Sequence, residues 1–363
     1  MKMEMTPKRR LLAAINGQEI DHIPFSPFLA YYFDFLPKEV REKGQLEYLK
    51  AMGADPLLRG FISAYTIHHQ ECTVTEKLQE NRRYITTHTP KGDLHSTYTY
   101  VPESNTWFLT EYPIKEIDDF QAAMAFYKDI RVVDNRENAN HQVNALGEDG
   151  LHVALIGVNN KSSYQYMLEH LMGTENLIYL TMDYPDEVRE LVDLIASKNR
   201  ETVEYTASSD IEACLSWEDS STTNLSPALY NEWIAPEIRE WTRLLQDAGK
   251  LYIQHACGHI KDLLLPVAGQ GVAAIESISP PPTGNVIMTD AAKILPSNVA
   301  LIGGIDPVHF LNDQLETLLE YVEQLCYSMK GRGFVLANSD SCPPDVQYEK
   351  FQRIARLVKD MKL

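Results

Sequence analysis

Positive charge is in short supply in this chain. There are 33 lysines and arginines against 51 aspartates and glutamates, a formal net charge of −18. Such a surface repels phosphate backbones and anionic lipid, which argues against nucleic acid and membrane surfaces as partners. Cysteine is sparse as well. Cys72, Cys214, Cys257, Cys326 and Cys342 are five in 363 residues, too scattered for a disulfide framework. Their remaining roles are core filler, nucleophile or metal ligand. No run of about 18 apolar residues occurs, so no transmembrane helix is expected. The first ten residues carry four basic side chains, but the LLAAINGQ that follows turns polar too soon for a signal peptide. A cytoplasmic protein is expected. No glycine-rich G-x-G-x-x-G or P-loop follows an apolar strand, which removes the commonest nucleotide-binding readings.

What is present is a repeated alternation of strand and helix. Thr6-Pro7 opens a helix with an N-cap and a proline at its first position, and Gly17 closes it. IPFSPF, from Ile23, suits a first strand. The later apolar runs are VALIGV (153–158), IEACLSW (211–217), LYIQHAC (251–257), VAAIESI (272–278), VALIGGI (299–305) and FVLANS (334–339). Amphipathic helical stretches separate most of them. Continuous apolar strands between such helices imply a parallel sheet buried on both faces. With the strands near 24 and 55 the count reaches eight, which predicts an α/β fold of the (β/α)8 TIM-barrel type. Residues 72–112 alternate polar with β-branched or aromatic residues around a Pro-Lys-Gly-Asp turn and predict a β-hairpin insertion. No linker or repeat interrupts the chain, so one domain over residues 1–363 is expected.

In such a barrel the site lies at the C-terminal ends of the strands. The polar residues there are Glu218 and Asp219, His255 and Cys257, Glu276, Asp306, and Asn338, Asp340 and Cys342. His255 and Cys257 are two apart, so on an extended strand they point to the same side. An imidazole and a thiolate facing one pocket are two zinc ligands, and Cys342, ending another strand, supplies a third. Two sulfurs and one nitrogen suit Zn2+, and three protein ligands leave a position open for chemistry. Glu276 is placed to orient His255 through a hydrogen bond. His68 and His69, adjacent on a strand, face opposite ways and read as surface.

Several segments together resemble the uroporphyrinogen decarboxylase-like superfamily. TPKRRLLAAINGQEIDHIPFSP is similar to its opening, LSPALYNEWIAPEIREW to its Ser-Pro helix, and HACGHIKDLLLPVAGQGVAAIES with VALIGGIDP to the two units that follow. The resemblance spans nearly the whole chain and implies the same barrel. Decarboxylases of this group carry an early arginine segment for substrate carboxylates. Aligning Leu36-Pro37 with their Leu-Pro places Ala30 and Asp34 at the two arginine positions, which disfavours a tetrapyrrole decarboxylase. The cobalamin-dependent methyltransferase branch instead binds zinc through a His-x-Cys…Cys pattern, matched here by His255, Cys257 and Cys342. That branch implies methyl transfer between a small substrate, an aromatic methyl ether or a thiol, and the cobalt of a corrinoid. The corrinoid would ride on a separate protein, since this chain has no DxHxxG segment. Under this resemblance Glu218 is the expected fourth zinc ligand or zinc-side base, with Asp219 the neighbouring choice. Glu276 is a second catalytic candidate, Asp306 and Asn338 are candidates for holding cofactor or substrate, and a homodimer is compatible with the family. The competing readings are the decarboxylase, a non-enzymatic corrinoid- or zinc-binding barrel, and a zinc hydrolase, which thiolate ligands suit poorly.

Overall fold

A computed structural model describes residues 4–102 and 106–361. Seven short strands pair side by side in parallel and in chain order: Leu57–Arg59, Leu151–Leu155, Ala213–Trp217, Leu251–His255, Ala274–Ile278, Ala300–Ile305 and Phe334–Asn338. The eighth stave is residues 24–26. Phe25 bridges in parallel to Leu336, Ser26 N–H donates to the Leu336 carbonyl at 2.8 Å, and Asp55 N–H donates to the Phe25 carbonyl at 2.8 Å. This segment therefore stands between the last strand and the first and closes the ring. Pro24 and Pro27 bring no N–H to the ladder, which is why it forms a bridge and not a full strand. The (β/α)8 reading of the sequence is thus met, with strand limits shifted by a few residues; where VALIGV (153–158) is expected, for instance, the strand runs Leu151–Leu155.

Alternation along the staves sends one residue in two into the barrel. Val153, Leu215, Ile253, Ala274, Ile302 and Val335 are fully buried there. The helix Pro7–Ile15 contributes Leu11, Ala14 and Ile15 to the same cluster and so plugs the barrel floor. Full burial of each larger aliphatic side chain contributes about 1.5–3 kcal/mol. Thr6 caps that helix by accepting from Arg9 N–H, and Pro7 sits in its first turn, as the sequence predicts.

Where the sequence, lacking a linker, suggests one domain, the described residues form two compact units. The barrel is built from Met1–Ala64, Arg136–Leu155 and Thr206–Leu363; the second unit comprises Tyr65–Asn135 and Ile156–Tyr205. It leaves the barrel chain after one strand and again after the next, so its boundaries carry no composition shift. Within it, Thr73–Gln79, Arg82–Thr89, Gly92–Val101 and Thr106–Glu111 form a sequential antiparallel sheet. This fills the predicted insertion at 72–112 with four strands. A turn at Glu80, whose φ is +53°, is one that the sequence did not announce. A second pair, Tyr65–His69 with Ile130–Asp134, is also antiparallel. Among the described residues no helix is long and apolar enough to cross a membrane.

The floor helix is fixed by charge. Arg10, 5% exposed, donates to both oxygens of Asp21 at 2.7 and 2.9 Å and also pairs with Asp55. Burial opposes ionisation of Asp21, but Arg10 and the Met5 N–H outweigh it and hold the carboxyl well below the usual range. A depressed carboxyl pKa adds stability that is complete above the unfolded value near 4 and fades as pH falls through the folded value. We therefore expect Asp21→Asn to cost about 2–3 kcal/mol in urea unfolding at pH 7 and clearly less at pH 3. An equal loss at both values would show that the ion pair is not the cause.

Candidate metal centre

Three adjacent staves place Trp217, His255 and Glu276 side by side at the same level, His255 opposite Trp217 on one flank and opposite Glu276 on the other. All three have inward parity. The Trp217 and His255 rings meet edge-on with centroids 4.9 Å apart, and Phe28 stacks on Trp217 at 5.4 Å. His255 is nearly buried and its Nδ1 lies 3.4 Å from Glu276 Oε2. The other oxygen of Glu276 accepts from Arg59 Nε at 2.6 Å and pairs with Nη2 at 2.5 Å. The Arg59 guanidinium also lies over the Phe28 ring, 5.2 Å from its centroid.

Two residues beyond Trp217 and His255, the same parity carries Asp219 and Cys257 to the strand ends. Cys257 Sγ is 3.4 Å from Asp219 Oδ1, and His255 Nε2 is 3.6 Å from that same oxygen. One ligand atom from each of Asp219, His255 and Cys257 lies within 4.8 Å of the others. The loops carrying them are tied together: Thr222 N–H donates to the His259 carbonyl at 2.8 Å and His259 N–H to Ser221 Oγ at 3.1 Å. Gly258 makes the turn after Cys257 with φ +76°, and a Cβ there would stand 3.1 Å from Ser221 Oγ. The Asp219 side chain remains 39% exposed, so the group is open on that side.

The charges around this group are mostly negative. Burial works against a charge on His255, yet the Glu276 hydrogen bond and the carboxylates of Asp219, Glu276 and Asp340 raise its pKa. Burial would likewise push Glu276 up, but Arg59 and His255 bring it down to about 2. Glu276 is therefore an anion placed to receive His255 Nδ1–H, while Nε2 faces Asp219 and Cys257, where it carries a proton when the ring is charged and offers its lone pair when a metal takes that proton's place. A nitrogen, a sulfur and an oxygen donor, with a carboxylate holding the imidazole from behind, form a set that fits a divalent metal of the zinc class. The carboxylates that favour a proton on His255 also favour a metal cation in its place.

The other sequence candidates are not among these three clustered donors. Glu218 takes no place in the group: it is fully buried, its charge adds to the burial that raises the hydroxyl pKa values of Tyr230 and Tyr252, and its parity is opposite to that of Trp217. The carboxylate that joins His255 and Cys257 is Asp219. The Cys342 thiol is buried, donates to the Pro343 carbonyl at 3.7 Å, and burial pushes its pKa up. Asp306 caps the helix Pro307–Asn312, accepting from Val308 N–H at 2.8 Å and Thr283 N–H at 3.2 Å. Asn338 brackets the backbone. It accepts from Phe28 N–H at 2.9 Å and donates to the carbonyls of Phe28 at 2.8 Å and Asp340 at 2.6 Å, so both of its amide hydrogens are used. Of the aromatics near the N-terminus, Phe28 reaches the site, while Phe25, Tyr32 and Phe33 are core and Tyr31 is exposed. Sequence reasoning missed Arg59 and Trp217. Both have inward parity on their strands, which burial on both faces leaves unmarked in the sequence.

The uroporphyrinogen decarboxylase (URO-D) family matches residues 162–361, more than half of the sequence. The chain belongs to this family. Among solved structures, a methyltransferase from Methanosarcina mazei is similar over 98% of both chains, with a TM-score of 0.65 and 13% identity, which supports the shared fold. A Listeria monocytogenes protein described as a vitamin-B12-independent methionine synthase is similar over 93% of this chain and 96% of its own, with a TM-score of 0.46 and 10% identity. Comparison with curated proteins gives no match.

In this member of the family the Arg59–Glu276 pair is nearly dry, with side chains 4% and 5% exposed. Breaking a buried pair from one side leaves an uncompensated charge, at about 3–5 kcal/mol. Arg59→Met is expected to show that loss in urea unfolding, and Arg59→Met/Glu276→Gln to recover a substantial part of it. A double variant as unstable as the single one would mean that packing against Phe28, not charge, is what Arg59 provides.

Proposed function

We propose that this URO-D family member is a zinc-dependent methyltransferase that moves a methyl group between a small substrate and the cobalt of a corrinoid carried by a separate protein. The observation that carries the reading is the cluster of Asp219, His255 and Cys257 at the strand ends, with Glu276 behind the imidazole. In this reading His255 and Cys257 hold the zinc, Asp219 is their carboxylate partner, and Cys342 completes the His-x-Cys…Cys set that the sequence suggests. Zinc, when bound, supplies a Lewis acid that activates a thiol or polarises an ether oxygen. The chain's own contribution is orientation and environment. Glu276 keeps the His255 proton on Nδ1, Arg59 keeps Glu276 ionised, and Trp217 with Phe28 offers an apolar aromatic wall for the substrate. The exposed side of Asp219 gives access. The related Methanosarcina structure, itself a methyltransferase, supports the reading through its fold.

A decarboxylase acting on a polycarboxylate is the weaker reading. Arg59 is already committed to Glu276, and the segment Ala30–Asp34 carries no basic residue.

Elemental analysis of zinc-saturated, dialysed protein tests the metal. Cys257→Ser should remove about one zinc per chain and Asp219→Asn should weaken its retention, while Glu218→Gln should leave it. Cys342→Ser decides whether the distant thiol joins, and this reading expects a clear loss. Methyl transfer should then be seen with methylcobalamin and a thiol, or with cob(I)alamin and an aromatic methyl ether, and should vanish in Cys257→Ser. A folded parent that retains no zinc dependent on Cys257 overturns the proposal.

A further inference from the structure

The second unit contains a separate gathering of donor atoms. His69 ends the strand Tyr65–His69, Asp129 ends the helix Phe120–Asp129, and Cys72 immediately precedes the strand Thr73–Gln79. One ligand atom from each lies within 4.8 Å of the others. Asp129 organises the connecting loop: its Oδ2 accepts the N–H groups of Gln70 and Cys72, each at 2.9 Å, and its Oδ1 accepts that of Glu71 at 3.2 Å.

Loop anchoring accounts for the carboxylate. It does not account for the two side chains beside it. His69 Nδ1 is shielded from solvent, makes no hydrogen bond of good geometry, and lies 3.5 Å from Asp129 Oδ2. Its ring is held flat against Phe126, with centroids 4.2 Å apart and planes 21° apart, so the direction of that nitrogen is fixed by packing. The Cys72 residue is 5% exposed, and its thiol lies against the Asp129 carboxylate and 4.0 Å from the Ala125 carbonyl. His69 and His68 face opposite ways, as their adjacency on a strand requires, and His69 is the one turned inward.

We infer that His69, Cys72 and Asp129 form a second metal site, for a divalent cation of the zinc class. The donor types are an imidazole, a thiolate and a carboxylate, all ligands zinc accepts. With zinc about 2.0–2.3 Å from each donor, neighbouring donors stand roughly 3.3–3.8 Å apart. The separations observed here reach that with small side-chain movement. The ligands stand at the ends of two regular elements and immediately before a third, which favours a defined geometry. Entry of the metal displaces the Cys72 thiol proton to solvent and leaves the backbone contacts of Asp129 in place. The site is independent of the barrel centre and does not rest on the proposed methyl transfer.

Zinc itself is the probe, with full-length protein saturated, dialysed and measured for zinc per chain. Cys72→Ser and His69→Ala should each lose about one equivalent relative to the parent, while circular dichroism shows the fold retained. Cys257→Ser/His69→Ala should lose both equivalents. Because His69 is partly exposed, its replacement tests the site even if Cys72→Ser fails to fold. If folded His69→Ala retains the parent's zinc and only Cys257 variants lose it, the second site does not exist and the barrel reading stands untouched.

Discussion

The guanidinium of Arg59, enclosed in the barrel mouth, is the constraint on which the candidate centre depends. A buried carboxylate is costly unless a cation and hydrogen bonds compensate it. Arg59 provides that compensation for Glu276 and lets it remain ionised beside His255. An ionised Glu276 holds the Nδ1 side of the imidazole, and so turns Nε2 toward Asp219 and Cys257. The chain of causes runs from one short strand, Leu57–Arg59, across the barrel to another. A parallel ring of inward-pointing side chains makes such a reach possible.

The scaffold explains why the site is precise. The fixed levels of Trp217, His255 and Glu276 come from strand register, and register comes from the aliphatic layer beneath them. The loops beyond are cross-linked through Ser221, Thr222 and His259, so Asp219 and Cys257 extend the strand geometry and do not wander from it. Asn338 performs a related task by gripping the backbone of Phe28, which sets the aromatic wall. A residue at a strand end that looked suited to holding a cofactor thus serves to position another residue.

Much of the fold was legible because strands buried on both faces are written as unbroken apolar runs, and these are easy to count. Residues 24–26 could be counted as well, although their prolines reduce them to a bridge. The division into two units was not legible, since the second unit is reached through ordinary loops. Within the site, His255 and Cys257 were readable from their spacing of two. Choosing Asp219 over Glu218 required knowing that Trp217 faces inward, and hydropathy alone does not fix that, because both faces of this strand are buried. Arg59 was hidden for a similar reason: a lone basic residue after two leucines gives no hint of a partner 217 positions away. The place of Cys342 depends on a proline-containing loop whose path no periodic signal describes.

The central claim is that a metal sits between His255 and Cys257 with a carboxylate beside them. Zinc-edge X-ray absorption on zinc-loaded protein carrying Cys72→Ser addresses it directly, since that background removes the other sulfur-containing donor group. The account predicts a mixed shell, with sulfur near about 2.3 Å and nitrogen or oxygen near about 2.0 Å, whose sulfur component shrinks on adding Cys257→Ser. A shell of nitrogen and oxygen alone, or one indifferent to Cys257, would contradict it.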